Sequence, residues 1–174
     1  MVKTIKRVGV IGAGVMGSTI AAHIANVGLE VVLLDIVPPG GLTDGDKKKG
    51  LTEESREFRN RLAEAGLLAA LKAKPASFYI KDNQKLIALG NLENNLDWLS
   101  NVDWIIEVVI ENLKIKQDLF NRIEALRKAD AMVSTNTSGI PLKKISDALS
   151  RDFKTHFLGT HFFNPVRYMA LLEM

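Results

Sequence analysis

Gly12, Gly14 and Gly17 form G-x-G-x-x-G, and their setting restricts the fold more than any other feature of the chain. The run Arg7-Val-Gly-Val-Ile11 before them is apolar and β-branched, which reads as a buried strand. After them, Ser18 to Val27 carries Ile20, Ala21, Ile24 and Val27 at helical spacing, with Gly28 as a stop. Val31-Val-Leu-Leu34 is a second strand, ending in Asp35. Strand, glycine turn, helix and strand make a βαβ unit with a right-handed crossover and parallel strands.

The first glycine of such a unit allows a tight turn, and the second lets a pyrophosphate approach the backbone. The third lets helix and strand pack closely. The helix N-terminus then offers free N–H groups and a partial positive charge to the phosphates. A carboxylate for the ribose hydroxyls is expected about 20 residues further on, and Asp35 lies 18 residues after Gly17. That carboxylate repels a 2′-phosphate, and no arginine follows it closely. The expected cofactor is therefore NAD rather than NADP, held by Gly12, Ala13, Gly14, Val15, Met16, Gly17 and Asp35. Dinucleotide binding alone names no reaction.

Beyond Pro38-Pro-Gly-Gly41 the chain turns charged and helix-favouring from Thr43 to Lys74, which reads as a helical insertion after the second strand. Leu51, Phe58, Leu62, Leu67, Leu68 and Leu71 are its candidate buried positions, and Pro75 ends it. Alternation then resumes. Lys85 to Leu89 reads as a weak strand, Asn94 to Leu99 as a short helix or loop, and Val102 to Ile110 as a strong strand. Leu113 to Lys128 is an amphipathic helix on Ile115, Leu119, Ile123 and Leu126. Ala131 to Thr135 is another strand, Pro141 to Leu149 a helix, and Phe157 to Phe163 and Met169 to Leu172 are strand-like. The pattern predicts an α/β, doubly wound Rossmann-type sheet, mostly parallel, in one domain over residues 1–174.

Composition closes off other classes. At 47% hydrophobic and 25% charged residues the chain is an ordinary globular sequence. No apolar run approaches the roughly 18 residues of a membrane span, and Met1 to Arg7 runs into a strand without a leader-like pattern. No cysteine is present, so disulfides and thiolate metal sites are excluded and a cytoplasmic location is expected. A net charge of +3 is too small to argue for nucleic acid, and Lys47-Lys48-Lys49 is flanked by Asp44, Asp46, Glu53 and Glu54.

Among three histidines, His23 and His156 read as structural, whereas His161 closes an apolar run and begins His161-Phe-Phe-Asn-Pro165. Ligands of an open parallel sheet gather beyond the strand C-termini, so His161 is a candidate general base. Glu173 stands twelve residues on in an apolar segment, where a carboxylate is costly unless it is paired or exposed, and His161 is an obvious partner. Ser134-Thr-Asn-Thr-Ser138 is either a ligand-facing polar cluster or the cap of the helix near Pro141.

Four motifs in order resemble the L-3-hydroxyacyl-CoA dehydrogenases: Val10-Ile-Gly-Ala-Gly-Val-Met-Gly17, Asp103-Trp-Ile-Ile-Glu-Val-Val-Ile-Glu-Asn112, Asn136-Thr-Ser138 and His161-Phe-Phe-Asn-Pro-Val166. The resemblance covers almost the whole chain, and the stretch from Asp35 to Ser55 is most similar to the dehydrogenase part of bacterial fatty-acid β-oxidation proteins. It implies NAD-dependent oxidation of 3-hydroxyacyl-CoA to 3-ketoacyl-CoA, with His161 as base, Glu173 as its orienting carboxylate and Ser138 touching substrate and nicotinamide. It also implies cofactor contacts at Glu111, Lys116 and Asn164, although Glu111 also reads as a helix-start carboxylate and Lys116 as a solvated residue.

The resemblance further implies an all-helical dimerisation domain beyond Met174 that this chain lacks. The acyl-CoA phosphates are assigned only to Lys47, Lys48 and Lys49 as candidates, and self-association into a homo-oligomer through the uncovered face is an expectation. Neither nucleic acid nor a membrane is an expected partner. Two other readings stay open: a cofactor-binding module without turnover, and a related dehydrogenase of a small hydroxy acid.

Overall fold

A computed structural model describes residues 4–174; residues 1–3, the start of the segment read above as leaderless, lie outside the described residues. Six parallel strands form one sheet in the order β3-β2-β1-β4-β5-β6. They are β1 (Arg7–Ile11), β2 (Glu30–Asp35), β3 (Ile87–Asn91), β4 (Trp104–Glu107), β5 (Met132–Thr135) and β6 (Phe157–Gly159). Chain order reverses between β1 and β4, so the loops after these two strands diverge and leave a crevice at their C-terminal ends. The register pairs Ile11 with Leu34 on one side and with Glu107 on the other.

Side chains alternate across the pleat, and each face carries a core. On one face Val8, Val10, Val31, Leu33 and Ile106 meet Ile20, Ala21, Ile24 and Ala25 of α1 (Val15–Asn26), with Ala63 and Ala70 of α4 (Arg61–Lys72). On the other, Ile11, Val32, Leu34, Ile105 and Val133 meet Leu119, Phe120 and Ile123 of α5 (Leu113–Leu126). Each such Leu, Ile or Phe removed from water contributes about 1.5–3 kcal/mol. Phe120, Phe153 and Phe157 pack ring to ring beneath α5, with centroids 5.1–6.0 Å apart. Among the described residues no helix is long and apolar enough to cross a membrane.

Several elements differ from the sequence reading, each for a packing reason. The stretch after β2 resolves into α2 (Asp44–Lys48), α3 (Arg56–Arg59) and α4. Phe58 is buried there, but Leu68 is exposed, because α4 turns the small residues Ala63, Gly66 and Ala70 inward. β3 begins two residues later than Lys85, after a 3₁₀ turn over Lys81–Leu86. The strong strand stops at Glu107, short of Ile110, because the chain leaves the sheet to wall the crevice. Ile115 is exposed, while the buried face of α5 includes Lys116. Pro141 caps α6 (Leu142–Ser146), and α7 (Arg151–Thr155) follows it. The run from Phe157 to Phe163 breaks at Thr160, so that β7 (His161–Phe162) leaves the main sheet and pairs antiparallel with β8 (Leu172–Glu173).

Candidate active site

The glycine loop forms the floor of the crevice. Gly12 adopts φ 101°, a left-handed conformation, and a Cβ there would lie 2.6 Å from the Val108 carbonyl oxygen. A Cβ on Gly17 would lie 1.7 Å from the Gly12 carbonyl oxygen, so helix and strand close only around a hydrogen. Gly14 differs: a Cβ there meets nothing within 4 Å, and the space in front of its backbone is open to a ligand. α1 begins at Val15 with no acidic residue in its first turn and no side-chain cap, which leaves its N–H groups and dipole to attract an anion. Val15 is exposed at this end, while Met16 packs on the core. A dinucleotide pyrophosphate fits this cradle.

Asp35 ends β2 beside the loop. Its Oδ2 accepts the Ala13 N–H at 2.6 Å and its Oδ1 the Ile36 N–H at 2.7 Å, so the carboxylate also holds the glycine turn in place. With Gly12, Gly14 and Val108 to Ile110 it lines a cavity of 470 Å³ whose apolar walls include Ile36, Leu92, Ile115 and Leu119. These suit an adenosine. Arg122 lines it as well, its Nη2 fixed on the Leu92 carbonyl oxygen at 2.7 Å. No arginine follows Asp35 closely in the sequence, but α5 delivers one to the cavity from far along the chain.

A second cavity, of 300 Å³, continues past Gly14, Val15 and Met16 to Glu111, Lys116, Asn136 and Thr137. Lys116 is not a solvated helix residue. It is 1% exposed, and its Nζ donates to Glu107 Oε1 at 2.7 Å and to the Val109 carbonyl oxygen at 3.2 Å. Glu107, fully buried, also accepts the Val109 N–H at 2.7 Å and the Thr135 hydroxyl at 2.5 Å. Glu111 precedes α5 but does not cap it, a role taken by Asn112, whose side chain accepts the Ile115 N–H. Glu111 instead takes the Thr137 hydroxyl and, at 3.0 Å, the Ser138 N–H. Burial pushes its carboxyl up, but those two donors, the Lys116 charge and the Gly139 N–H outweigh this and leave it below the ordinary glutamate range.

The polar cluster at the end of β5 does not cap α6: Ser134 and Asn136 brace neighbouring strands, while Thr137 and Ser138 line the cavities. Ser134 accepts the Trp104 indole N–H at 2.9 Å and the Thr160 hydroxyl at 2.8 Å. Asn136 Oδ1 accepts the Phe162 N–H at 2.9 Å, tying the end of β5 to the strand that carries His161. Asn136 thus positions that strand, and its place in the Asn-Thr-Ser motif is the sequence signal for it.

A third cavity, of 360 Å³, brings Ser138, His161 and Glu173 together with Thr137, Pro141 and Leu142. The β7–β8 register sets His161 opposite Glu173, and His161 Nδ1 meets Glu173 Oε2 at 2.9 Å. The ring also packs on Phe163, centroid to centroid at 4.8 Å. With Nδ1 held by the carboxylate, Nε2 is the nitrogen left to exchange a proton with a ligand. Asn164, beside a cis bond to Pro165, is exposed and lines none of the three cavities. Lys47, Lys48 and Lys49 are exposed around the end of α2 and likewise outside them. His156 Nδ1 is 2.9 Å from the Asp152 carbonyl oxygen, and His23 lies within α1, where burial lowers its proton affinity.

Comparison with known proteins agrees with this layout. The family model described as 3-hydroxyacyl-CoA dehydrogenase, NAD binding domain, matches residues 7–174. A probable 3-hydroxyacyl-CoA dehydrogenase of Bacillus subtilis is 51% identical over 174 residues, which are 100% of this chain and 22% of that protein. A putative fatty acid oxidation complex trifunctional enzyme of Rickettsia felis is 41% identical over 174 residues, again 100% of this chain and 22% of the relative. The crystal structure of M. tuberculosis FadB2 superposes with a TM-score of 0.68 at 31% identity, covering 98% of this chain and 53% of that one. The chain thus spans about a fifth of the length of these two sequence relatives, and it belongs to the family of 3-hydroxyacyl-CoA dehydrogenase NAD-binding domains.

Proposed function

We propose that this chain is the cofactor-binding part of an NAD-dependent enzyme that oxidises 3-hydroxyacyl-CoA to 3-ketoacyl-CoA in fatty-acid β-oxidation. The observation that carries the reading is the His161–Glu173 pair, 2.9 Å apart, in a cavity that shares Thr137 with the one reaching Gly14. The names of the relatives supply the substrate class.

Bound NAD supplies the hydride acceptor. Nε2 of His161 takes the proton of the substrate 3-hydroxyl as hydride leaves the same carbon, and returns it in the reverse direction. Glu173 keeps the Nδ1–H pointed away from the substrate and offsets the charge of the imidazolium that forms. Ser138 presents its hydroxyl to the substrate oxygen, its backbone N–H being fixed by Glu111. Asp35 holds the adenosine ribose, and Lys116 with Glu111 faces the nicotinamide side. Asn164, in the turn after β7, is assigned to that side by the family motif alone.

The test is NADH consumption with acetoacetyl-CoA by the unmutated chain and by His161→Ala, with NADH binding followed by fluorescence. Turnover that falls by about 10²–10⁴-fold in the variant at unchanged NADH affinity is the expected result. Retained turnover removes His161 from its role. No turnover by the unmutated chain, with NADH still bound, favours a binding module that needs more protein to react.

A further inference from the structure

Glu107 lines none of the three cavities described above, yet its fully buried carboxylate accepts three hydrogen bonds. It sits at the end of β4, at the point where chain order reverses, with Ile11 on one side and Thr135 on the other. One oxygen takes the Val109 N–H and the Lys116 ammonium; the other takes the Thr135 hydroxyl. Its backbone carbonyl accepts the Asn136 N–H at 2.8 Å. One side chain therefore ties together the loop after β4, the first turns of α5 and the end of β5, which are three walls of the crevice.

Its charge matters as much as its bonds. Lys116 lines the cavity between the glycine loop and Thr137 with two of its three N–H groups already spent on Glu107 and Val109. Glu111 lines the same cavity and feels the Lys116 charge. Two carboxylates thus face one ammonium, and the cluster carries an excess negative charge beside the path from Gly14 to His161. An oxidised nicotinamide ring is a cation, whereas the reduced ring is neutral.

The structure assigns Glu107, we infer, as the positioning residue that neutralises Lys116 and thereby sets the relative affinity of the crevice for the oxidised and reduced dinucleotide. This rests on the functional reading above, because that reading lays the nicotinamide along this cavity. Losses of contact shared by the two forms cancel in the ratio of their dissociation constants, so the ratio reports charge and not general damage.

The experiment measures Kd for NADH by fluorescence and for NAD⁺ by displacement, at pH 7 and fixed ionic strength, in Glu107→Gln, Lys116→Met and the double variant. Glu107→Gln is expected to raise Kd(NAD⁺)/Kd(NADH) roughly tenfold, the effect of one unit charge across about 10 Å of partly solvated protein. Lys116→Met is expected to lower the ratio, and the double variant to return it towards the unmutated value even if both affinities fall. Should Glu107→Gln fail to fold, Lys116→Met and the charge-balanced double variant still carry the comparison. A ratio unchanged in every variant overturns the proposal and leaves the cofactor reading intact. An unmutated chain that binds neither form overturns both.

Discussion

Gly66 lies in the middle of α4, and its neighbour is the backbone of the glycine loop. A Cβ at this position would lie 2.2 Å from the Ala13 carbonyl oxygen, 3.1 Å from its carbonyl carbon and 3.0 Å from its Cβ. Carbon and oxygen do not approach so closely, and with backbone rather than a side-chain tip in the way, Gly66→Ala requires α4 and the loop to separate by about 1 Å. Overpacking of this kind costs about 1–3 kcal/mol, while replacing glycine by alanine inside a helix returns about 1 kcal/mol. The net expectation is a loss of up to about 2 kcal/mol, seen as a fall in Tm of up to about 8 °C for a chain of this size. Because Ala13 belongs to the loop proposed to cradle the pyrophosphate, NADH affinity should fall about tenfold or more as well. Thermal unfolding and NADH fluorescence titration read the two effects. Gly45→Ala is the control: it lies in α2, where a Cβ meets only the Thr43 hydroxyl at 3.6 Å. A Gly66→Ala variant that is stabilised like the control and binds NADH normally would refute the claim that this glycine exists for the contact.

Asp35→Ala should weaken NADH binding by about tenfold through lost charge-assisted hydrogen bonds and relax the preference against NADPH; equal affinity of the unmutated chain for both would contradict the assignment. Glu173→Gln keeps a hydrogen-bonding group at His161 but removes its charge, so steady-state kinetics should show turnover lowered about 10–100-fold with NADH affinity unchanged. A further prediction concerns acid stability. Asp103 is pushed up by burial but held down to about 2 by the N–H groups of Lys6 and Arg7 and by Lys128, against an ordinary value of 3.8. Its contribution is therefore complete above 3.8 and is lost as pH falls through about 2. Asp103→Asn should be less stable at pH 7 and should lose stability less steeply between about pH 4 and pH 2 in urea titrations; an unchanged slope counts against the shift.

Which parts of the site could be read in the chain follows from the range of the interactions involved. The glycine loop is local: turn, helix start and following strand are contiguous, and each residue type answers to a backbone demand within a few positions. Asp35 is legible for the same reason, at the end of the next strand. The His161–Glu173 pair is a short-range hairpin contact, although Glu173 is exposed, so the register of β7 and β8 rather than a burial cost brings the two together. Lys116 is the contrary case. Its spacing on α5 suits a solvated residue, and only the arrival of Glu107 on the neighbouring strand makes burial affordable. Arg122 enters the adenosine cavity in the same way, and Leu68 and Ile115 turn outward because the packed faces of their helices are filled by other residues.

From sequence alone, then, came the parallel sheet and the dinucleotide, which rest on periodicity and residue types within one or two elements, and the family resemblance, which rests on four short motifs in order. Tertiary structure decided that β4 ends early to wall the crevice, that β7 swings off the sheet to bring His161 to Glu173, and that Glu107 rather than water balances Lys116. Those outcomes depend on which distant segments share a strand edge. No local pattern encodes that, because the free energy that selects it comes from packing both faces of the sheet at once.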